Sequence, residues 1–157
     1  MQNRQRPRFA LIIAAAASLA VPMGAPGVAA QGAGTTVTLE ITNIRNADGV
    51  VRACMTADED RFPRCQGSAN GYSAVVPAGE ATTLRFRNVA PGTYAIALLH
   101  DENDNGRADR ALGMMPREGF GFSRDARVRM GPPRFDEAAI EVGTTSTRQT
   151  IRMRYML

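Results

Sequence analysis

The sequence predicts an all-β fold, an antiparallel two-sheet β-sandwich of about seven strands. Apolar and polar residues alternate over short segments, which is typical of half-buried strands. Turns that contain Gly or Pro separate these segments, and no convincing amphipathic helix, internal repeat or low-complexity tract is present. Residues 31–157 fall within the usual size of one domain, so we expect a single hydrophobic core.

The predicted strands are punctuated by two turn signals. Asp48-Gly49 predicts a hairpin turn, and Pro91-Gly92 predicts a type II turn with a positive φ at Gly92. Residues 93–99 are apolar on both faces, as expected of a central strand that is covered on both sides. Residues 110–137, rich in Gly and Pro, are predicted to form a long structured loop. In chain order, the strands are expected at residues 35–45, 51–55, 72–76, 84–87, 93–99, 119–123, 138–142 and 147–156.

Residues 1–30 have the pattern of an export signal. Arg4, Arg6 and Arg8 form a basic start, and residues 9–21 form an apolar stretch shorter than the roughly 20 residues of a membrane-spanning helix. Residues 28–30 offer small side chains for cleavage. We therefore expect a periplasmic or secreted protein that has no membrane span once the signal is removed.

The charge of the predicted domain argues against nucleic-acid binding. Three of the 19 basic residues lie in the signal, whereas all 15 acidic residues follow it, which leaves a net charge of +1. The remaining arginines alternate with acidic or apolar residues instead of forming the basic patch that phosphate binding needs.

Cys54 and Cys65 are the only cysteines, and we expect a disulfide between them. Two cysteines eleven positions apart in an oxidising compartment are more often bridged than free. A metal pair or a reactive thiol is the alternative, but there is no Cys-x-x-Cys spacing and no histidine lies near.

A candidate calcium loop follows the predicted central strand. Oxygen-bearing side chains occupy alternate positions, and Gly106 stands at the sixth position, where the tight curl of a calcium loop suits glycine. The twelfth position holds Leu112 where an EF-hand has glutamate, so a complete EF-hand is excluded and Glu118 or Asp125 would have to supply a further ligand. The predicted metal ligands are Asp101, Asn103, Asn105, the backbone carbonyl of Arg107, and Asp109.

The alternative interpretation is a hairpin loop without a metal ion, rich in Asp, Asn and Gly because these residues accept tight turns and bond their own backbone. Any calcium site would be weak because two amides replace carboxylates, and the ion would mainly stiffen the loop. No other cofactor is expected.

His100, the sole histidine, raises two further hypotheses. A Ser-His-Asp hydrolase is disfavoured because Asp101 lies on the opposite face of the strand and no nucleophile-elbow sequence is present. A copper site with Met114, Met115 and Met130 is chemically conceivable, but methionine in a sandwich more often fills the core.

The segment 118–135 is a candidate recognition surface. Phe120, Phe122 and Phe135 could form an aromatic platform for a carbohydrate or peptide of the cell envelope. The alternative is that these rings pin a long loop to the core.

Several ordered motifs resemble a bacterial family known as domain of unknown function 2141. They are the series Asn88-Val89-Ala90-Pro91-Gly92-Thr93-Tyr94, His100-Asp101-Glu102-Asn103 with Asn105-Gly106, Glu118-Gly119-Phe120-Gly121-Phe122-Ser123, and Gly131-Pro132-Pro133 with Phe135. The resemblance covers about residues 36–155. It implies a secreted or periplasmic prealbumin-like or immunoglobulin-like sandwich with no established activity.

We therefore predict a monomeric, exported, non-enzymatic β-sandwich with a signal peptide at 1–30 and one domain at 31–157. Its loop 101–109 is a candidate calcium site. A module that binds a cell-envelope ligand through segment 118–135 is the alternative.

Overall fold

The computed structural model of the chain describes residues 34–80, 83–111 and 115–156. The predicted export signal and Leu112 lie outside these residues. The strands form a three-stranded sheet of order β10-β1-β4, a five-stranded sheet of order β3-β2-β5-β8 in which β9 also pairs with β5, and a two-stranded β6-β7 ribbon. Their bounds are β1 Thr35–Thr42, β2 Val50–Thr56, β3 Gly71–Pro77, β4 Thr83–Val89, β5 Gly92–Asp101, β6 Arg110–Ala111, β7 Met115–Pro116, β8 Gly119–Phe122, β9 Ala139–Val142 and β10 Thr147–Arg152. The all-β, two-sheet prediction is confirmed.

One strand pair departs from the expected antiparallel pattern. β1 pairs antiparallel with β4 but parallel with β10. Because β9 belongs to the other sheet, the chain crosses from one sheet to the other before β10 begins, and a crossover of this kind allows a parallel pair.

The main core lies between the two sheets and follows directly from the alternation in the sequence. Val37, Leu39 and Ile41 of β1 and Val51 and Met55 of β2 are buried. Alternate side chains of a strand point to opposite faces, so these residues form two apolar surfaces that pack together.

A second apolar cluster covers part of the outer face of the five-stranded sheet. Ala95 and Ala97 of β5 lie beneath Phe120 and Phe122 of β8, and Phe62 packs against the cluster. The expectation that the central strand is covered on both faces is therefore confirmed. Two short helical segments lie in the long loop, a 3-10 turn Ser123–Asp125 and α1 Phe135–Ala138.

Two predicted glycine turns are confirmed and one is wrong. Gly49 and Gly106 have φ values of +62° and +76°. Gly92 is the first residue of β5 and does not have a positive φ, and the left-handed residue near this turn is Asn88 with φ 55°. Asparagine accepts this conformation better than most residues because its short polar side chain bonds locally.

The predicted disulfide between Cys54 and Cys65 is present. It ties β2 to the loop that leads to β3. Within the described ranges, no helix is long and apolar enough to cross a membrane.

Candidate functional site: a cation loop and a neighbouring groove

The candidate calcium loop, residues 101–109, begins where β5 ends. We call it the cation loop. Asp101 is the last residue of β5 and pairs with Val50 of β2, and its side chain is completely buried. Gly49 makes this approach possible, because a Cβ on Gly49 would lie 2.1 Å from the backbone oxygen of Asp101. The hairpin turn and the cation loop are therefore in direct contact.

The Asp101 carboxylate organises the first half of the cation loop. It accepts hydrogen bonds from the backbone N–H groups of Asn105 (3.0 Å) and Gly106 (2.8 Å), and Oδ2 lies 2.6 Å from Nε of Arg52. Burial alone would raise the pKa of Asp101. The bonds from Arg52, Gly106 and Asn105 outweigh that effect and hold its pKa below the ordinary value, so the carboxylate stays ionised.

Three side chains of the cation loop meet at one atom. The side-chain amides of Asn103 and Asn105 lie 2.8 Å and 2.9 Å from Oδ2 of Asp109. The oxygen of the Asn103 amide accepts a 3.2 Å hydrogen bond from the backbone N–H of Asn105. A cation at this point therefore requires both amides to turn by 180° and present oxygen in place of nitrogen. The structure thus gathers three of the side chains that the sequence predicted as ligands. The backbone N–H of Arg107 donates to Oδ1 of Asn105, which fixes the following turn.

Glu118 is the acidic residue that reaches the cation loop from elsewhere in the chain. Its Oε2 accepts a 3.1 Å hydrogen bond from the backbone N–H of Asp109. The residue is only 4% exposed, and Oε1 is buried without a hydrogen-bond partner among the described residues. Burial raises the pKa of Glu118, and repulsion from Asp101, Asp109 and Glu102 raises it further.

Asp125, the other residue considered for this role, is engaged elsewhere. It forms a 2.6 Å ion pair with Arg154 at the 3-10 turn that follows β8. Among the described residues there is no ready-made group of three or more His, Cys, Asp or Glu side chains that could hold a metal ion. Any cation here therefore depends on amide and backbone oxygens as well as carboxylates.

The outer edge of the cation loop is held by arginines. Glu102 accepts two short bonds from Arg45, and its Oε1 also accepts a 2.8 Å bond from Asn46. The bond from Arg45 is the main reason that the pKa of Glu102 falls to about 2. Arg52 bridges Asp101 and Asp104. Arg52 and Asp101 are 49 positions apart in the sequence, and the register between β2 and β5 brings them together.

The ring of His100 is buried, and both of its nitrogens are hydrogen-bonded within the fold. Its ring is fully buried, with Nε2 2.9 Å from the backbone oxygen of Asp48 and Nδ1 2.8 Å from the hydroxyl of Tyr155. A carbonyl only accepts, so Nε2 carries the proton and Nδ1 accepts from the hydroxyl. Both ring nitrogens are thus used, which leaves no lone pair for a serine proton or a copper ion.

A Ser-His-Asp hydrolase would need a serine beside His100, but Ser68, Ser73 and Ser123 do not bond to His100 in the described structure. Ser123 is buried and bonds to the backbone of Ile96 and Ala138, and Ser68 bonds to Thr56. Ser73 lies exposed on β3. Of the methionines in the copper hypothesis, Met114 lies outside the described residues and Met130 is exposed.

Of the two hypotheses for segment 118–135, the exposed aromatic platform is not formed, and Phe120 and Phe122 instead pack into an apolar cluster on the sheet. Phe120 and Phe122 are buried, and Phe62 meets the rings of Phe122 and Phe135 edge to face. The physical reason is that the outer face of β5 carries only small alanines here, so the rings fill the space above them.

Beside this cluster lies a feature that the sequence analysis missed, which we call the sheet groove. It is a concavity of about 870 Å³ on the outer face of the five-stranded sheet. Its walls come from residues 63–66, 106–110 and 128–132. Strand register builds its floor from two rows of side chains, Ser73, Cys54, Ala97 and Phe122 in one row and Val75, Arg52, Leu99 and Phe120 in the other. No sequence pattern signals this groove, because it depends on which strands become neighbours.

Comparison with known proteins identifies a family and no closer relative. The model of the family described as "Uncharacterized protein conserved in bacteria (DUF2141)" matches residues 39–150. No curated protein matches the chain, and no solved structure does.

Proposed function

Because the chain belongs to the DUF2141 family of uncharacterised bacterial proteins, we propose a function from its geometry: an exported, non-enzymatic β-sandwich whose cation loop binds calcium. The observation that carries this proposal is the buried Oε1 of Glu118, which has no partner among the described residues and lies beside the loop. A buried carboxylate oxygen without a partner is costly, and a cation is the partner that its charge favours.

The ligand chemistry agrees with calcium. Asp109 supplies carboxylate oxygens, and the side-chain amides of Asn103 and Asn105, which donate to Asp109 in this structure, would supply oxygens after turning. Asp101 and Glu118 add carboxylates from the two ends of the site. The carbonyl of Arg107 completes the proposed set. Calcium accepts six to eight oxygen ligands in flexible geometry, whereas zinc and copper prefer nitrogen or sulfur.

The ion would act as a clamp between the cation loop and the start of β8. Glu118 directly precedes Gly119 of β8, and Asp101 ends the neighbouring strand β5. An ion shared by both would neutralise the repulsion that Glu118 experiences and would stabilise only the folded state. Exported modules of this kind bind calcium with a dissociation constant of about 0.1–1 mM, which their surroundings can satisfy.

Export and the absence of catalysis are part of the same proposal. The basic and apolar pattern of residues 1–30 supports export, and the Cys54–Cys65 disulfide is suited to an oxidising compartment. The use of both nitrogens of His100 in structural hydrogen bonds supports a non-enzymatic role.

Thermal unfolding of the purified protein with excess calcium or with a chelator tests the calcium proposal. At about ten times the dissociation constant, calcium should contribute about 1.4 kcal/mol and raise the unfolding temperature by about 5 °C. Glu118→Gln keeps the size of the side chain and an acceptor for Asp109 but removes the charge. The unfolding temperature of this variant should be at least that of the wild type measured in chelator. Addition of calcium should not raise it.

Glu141→Gln is the matched control. Glu141 lies on β9 at the other end of β5 and bonds to Thr93, so its calcium response should equal that of the wild type. An unchanged wild-type melting temperature with calcium, or equal calcium shifts in all three proteins, would contradict the proposal.

Ligand recognition is the second candidate function, and the sheet groove favours it. Its volume lies within the roughly 300–1,000 Å³ typical of small-molecule sites. Because the phenylalanine rings are buried, the candidate binding surface is this groove and not an exposed aromatic platform for carbohydrate or peptide.

A further inference from the structure

The large exposed apolar side chains of residues 34–80, 83–111 and 115–156 line one concave surface. Among the described residues, the large apolar side chains with high exposure are Val75 (53%), Met130 (96%) and Met156 (43%), and all three line the sheet groove. Scattered exposed apolar residues are ordinary, but a gathered set in a concave surface indicates a binding site.

The floor of the groove is mainly apolar because of the residue types on alternate strand positions, and its one charged side chain, Arg52, is paired with Asp101 and Asp104. Cys54 contributes its disulfide, and Val75 and Leu99 flank Arg52 across the sheet. The row with Ser73 and Ala97 has small side chains, which leaves space above the sheet. Phe122 closes the end of that row. The result is a trough whose base suits a hydrocarbon or ring system.

The rim of the groove is positively charged. Four exposed arginines line it, and their guanidinium groups form no ion pair or hydrogen bond with other described residues: Arg64, Arg107, Arg110 and Arg129. The acidic residues of the lining, Asp109 and Glu118, are turned to the cation loop by the contacts given above.

We propose that the sheet groove binds a small amphipathic anion, with the apolar body on the sheet and the acidic group at the rim arginines. The proposal rests on the second candidate function and is independent of calcium. A mainly apolar floor disfavours a strongly hydrated ligand, and the unpaired guanidinium groups of the rim favour a carboxylate, sulfonate or phosphate, which they can bind in bidentate fashion. A volume of about 870 Å³ admits a molecule of small-ligand size rather than a folded partner.

Two fluorescent probes that differ only by the acidic group test this ligand class. Anilinonaphthalenesulfonate carries a sulfonate, and phenylnaphthylamine is the same ring system without it. We expect the native protein to bind the sulfonate at least about tenfold more tightly, the amount expected for one charged hydrogen bond. Octanoate should displace the bound probe at lower concentration than octanol.

Variants separate the rim from the floor. The double variant Arg64→Ala with Arg129→Ala should weaken sulfonate binding about tenfold and leave binding of the neutral probe unchanged. The matched control is Arg85→Ala with Arg87→Ala, since these two exposed arginines lie on β4 of the other sheet and should not affect either probe. Val75→Asp replaces an exposed side chain of the floor and should weaken binding of both probes while the unfolding temperature stays close to that of the wild type.

Three results would contradict all or part of the proposal. Equal affinities for both probes would leave the groove as a binding site but refute the acidic ligand. Failure of both probes to bind refutes ligand recognition as well. Sedimentation that shows a dimer which excludes both probes would assign the groove to a second copy of the chain. The measurements are made with excess calcium and again with a chelator, so that their result does not depend on the cation loop.

Discussion

Glu118 accepts a hydrogen bond from the backbone N–H of Asp109 and thereby joins the end of the cation loop to the start of β8. The two residues are nine positions apart, and the same carboxylate retains a buried oxygen without a partner among the described residues. The proposed calcium site and the sheet groove are therefore adjacent, because Asp109 and Glu118 also line the groove.

Calcium affinity should fall in mildly acidic solution. The pKa of Glu118 is raised by burial and by neighbouring carboxylates, so protons compete with the ion at this residue as the pH decreases. Calcium titrations from about pH 7.5 to about pH 5 should show progressively weaker binding, with the same trend in Glu141→Gln. An affinity that does not change over this range would remove Glu118 from the ligand set.

Folding stability should decrease at low pH through Glu102. Its pKa falls from 4.5 to about 2 on folding, so its contribution is complete above the unfolded value and is lost as the pH decreases from 4.5 towards 2. Urea unfolding at several pH values should show this decrease in the wild type. Glu102→Gln should show a smaller decrease over the same window, and an identical decrease in both proteins would contradict the assignment.

Removal of the disulfide should destabilise the protein without changing its fold. The bridge closes an 11-residue separation between β2 and the following loop. The double variant Cys54→Ser with Cys65→Ser should lose about 2–4 kcal/mol in the free energy of unfolding. Urea unfolding measures this loss, and circular dichroism should still report β-structure. An unchanged urea midpoint would contradict this structural role.

Gly49→Ala should damage the cation loop from the neighbouring hairpin. Gly49 has a φ of +62°, and an added Cβ would meet the backbone oxygen of Asp101 at 2.1 Å. The variant should lose more than about 1 kcal/mol of stability and bind calcium less tightly. Gly143→Ala is the control, because a Cβ there meets nothing within 4 Å. Equal stability and calcium affinity in the two variants would argue against contact between hairpin and loop.

The strands could be predicted because their core positions alternate along the sequence. Val37, Leu39 and Ile41 show this directly, and the double apolar character of β5 predicted its central position. The parallel partner of β1 could not be predicted in this way, since alternation does not say which strands become neighbours.

The candidate calcium site could be predicted only in part. Local spacing made Asp101 and Asp109 candidate ligands and left two candidates for a distant acidic residue, and the folded chain brings Glu118, not Asp125, to the cation loop. The ion pair of Arg52 with Asp101 and the whole sheet groove arise from register between strands distant in sequence, and local patterns contain no information about them.

Isothermal titration of the purified protein with calcium tests the central proposal most directly. We expect one ion per chain, a dissociation constant of about 0.1–1 mM for the wild type and for Glu141→Gln, and at least about tenfold weaker binding for Glu118→Gln. Absence of binding by the wild type at 10 mM calcium, or equal binding by all three proteins, would contradict the proposed site.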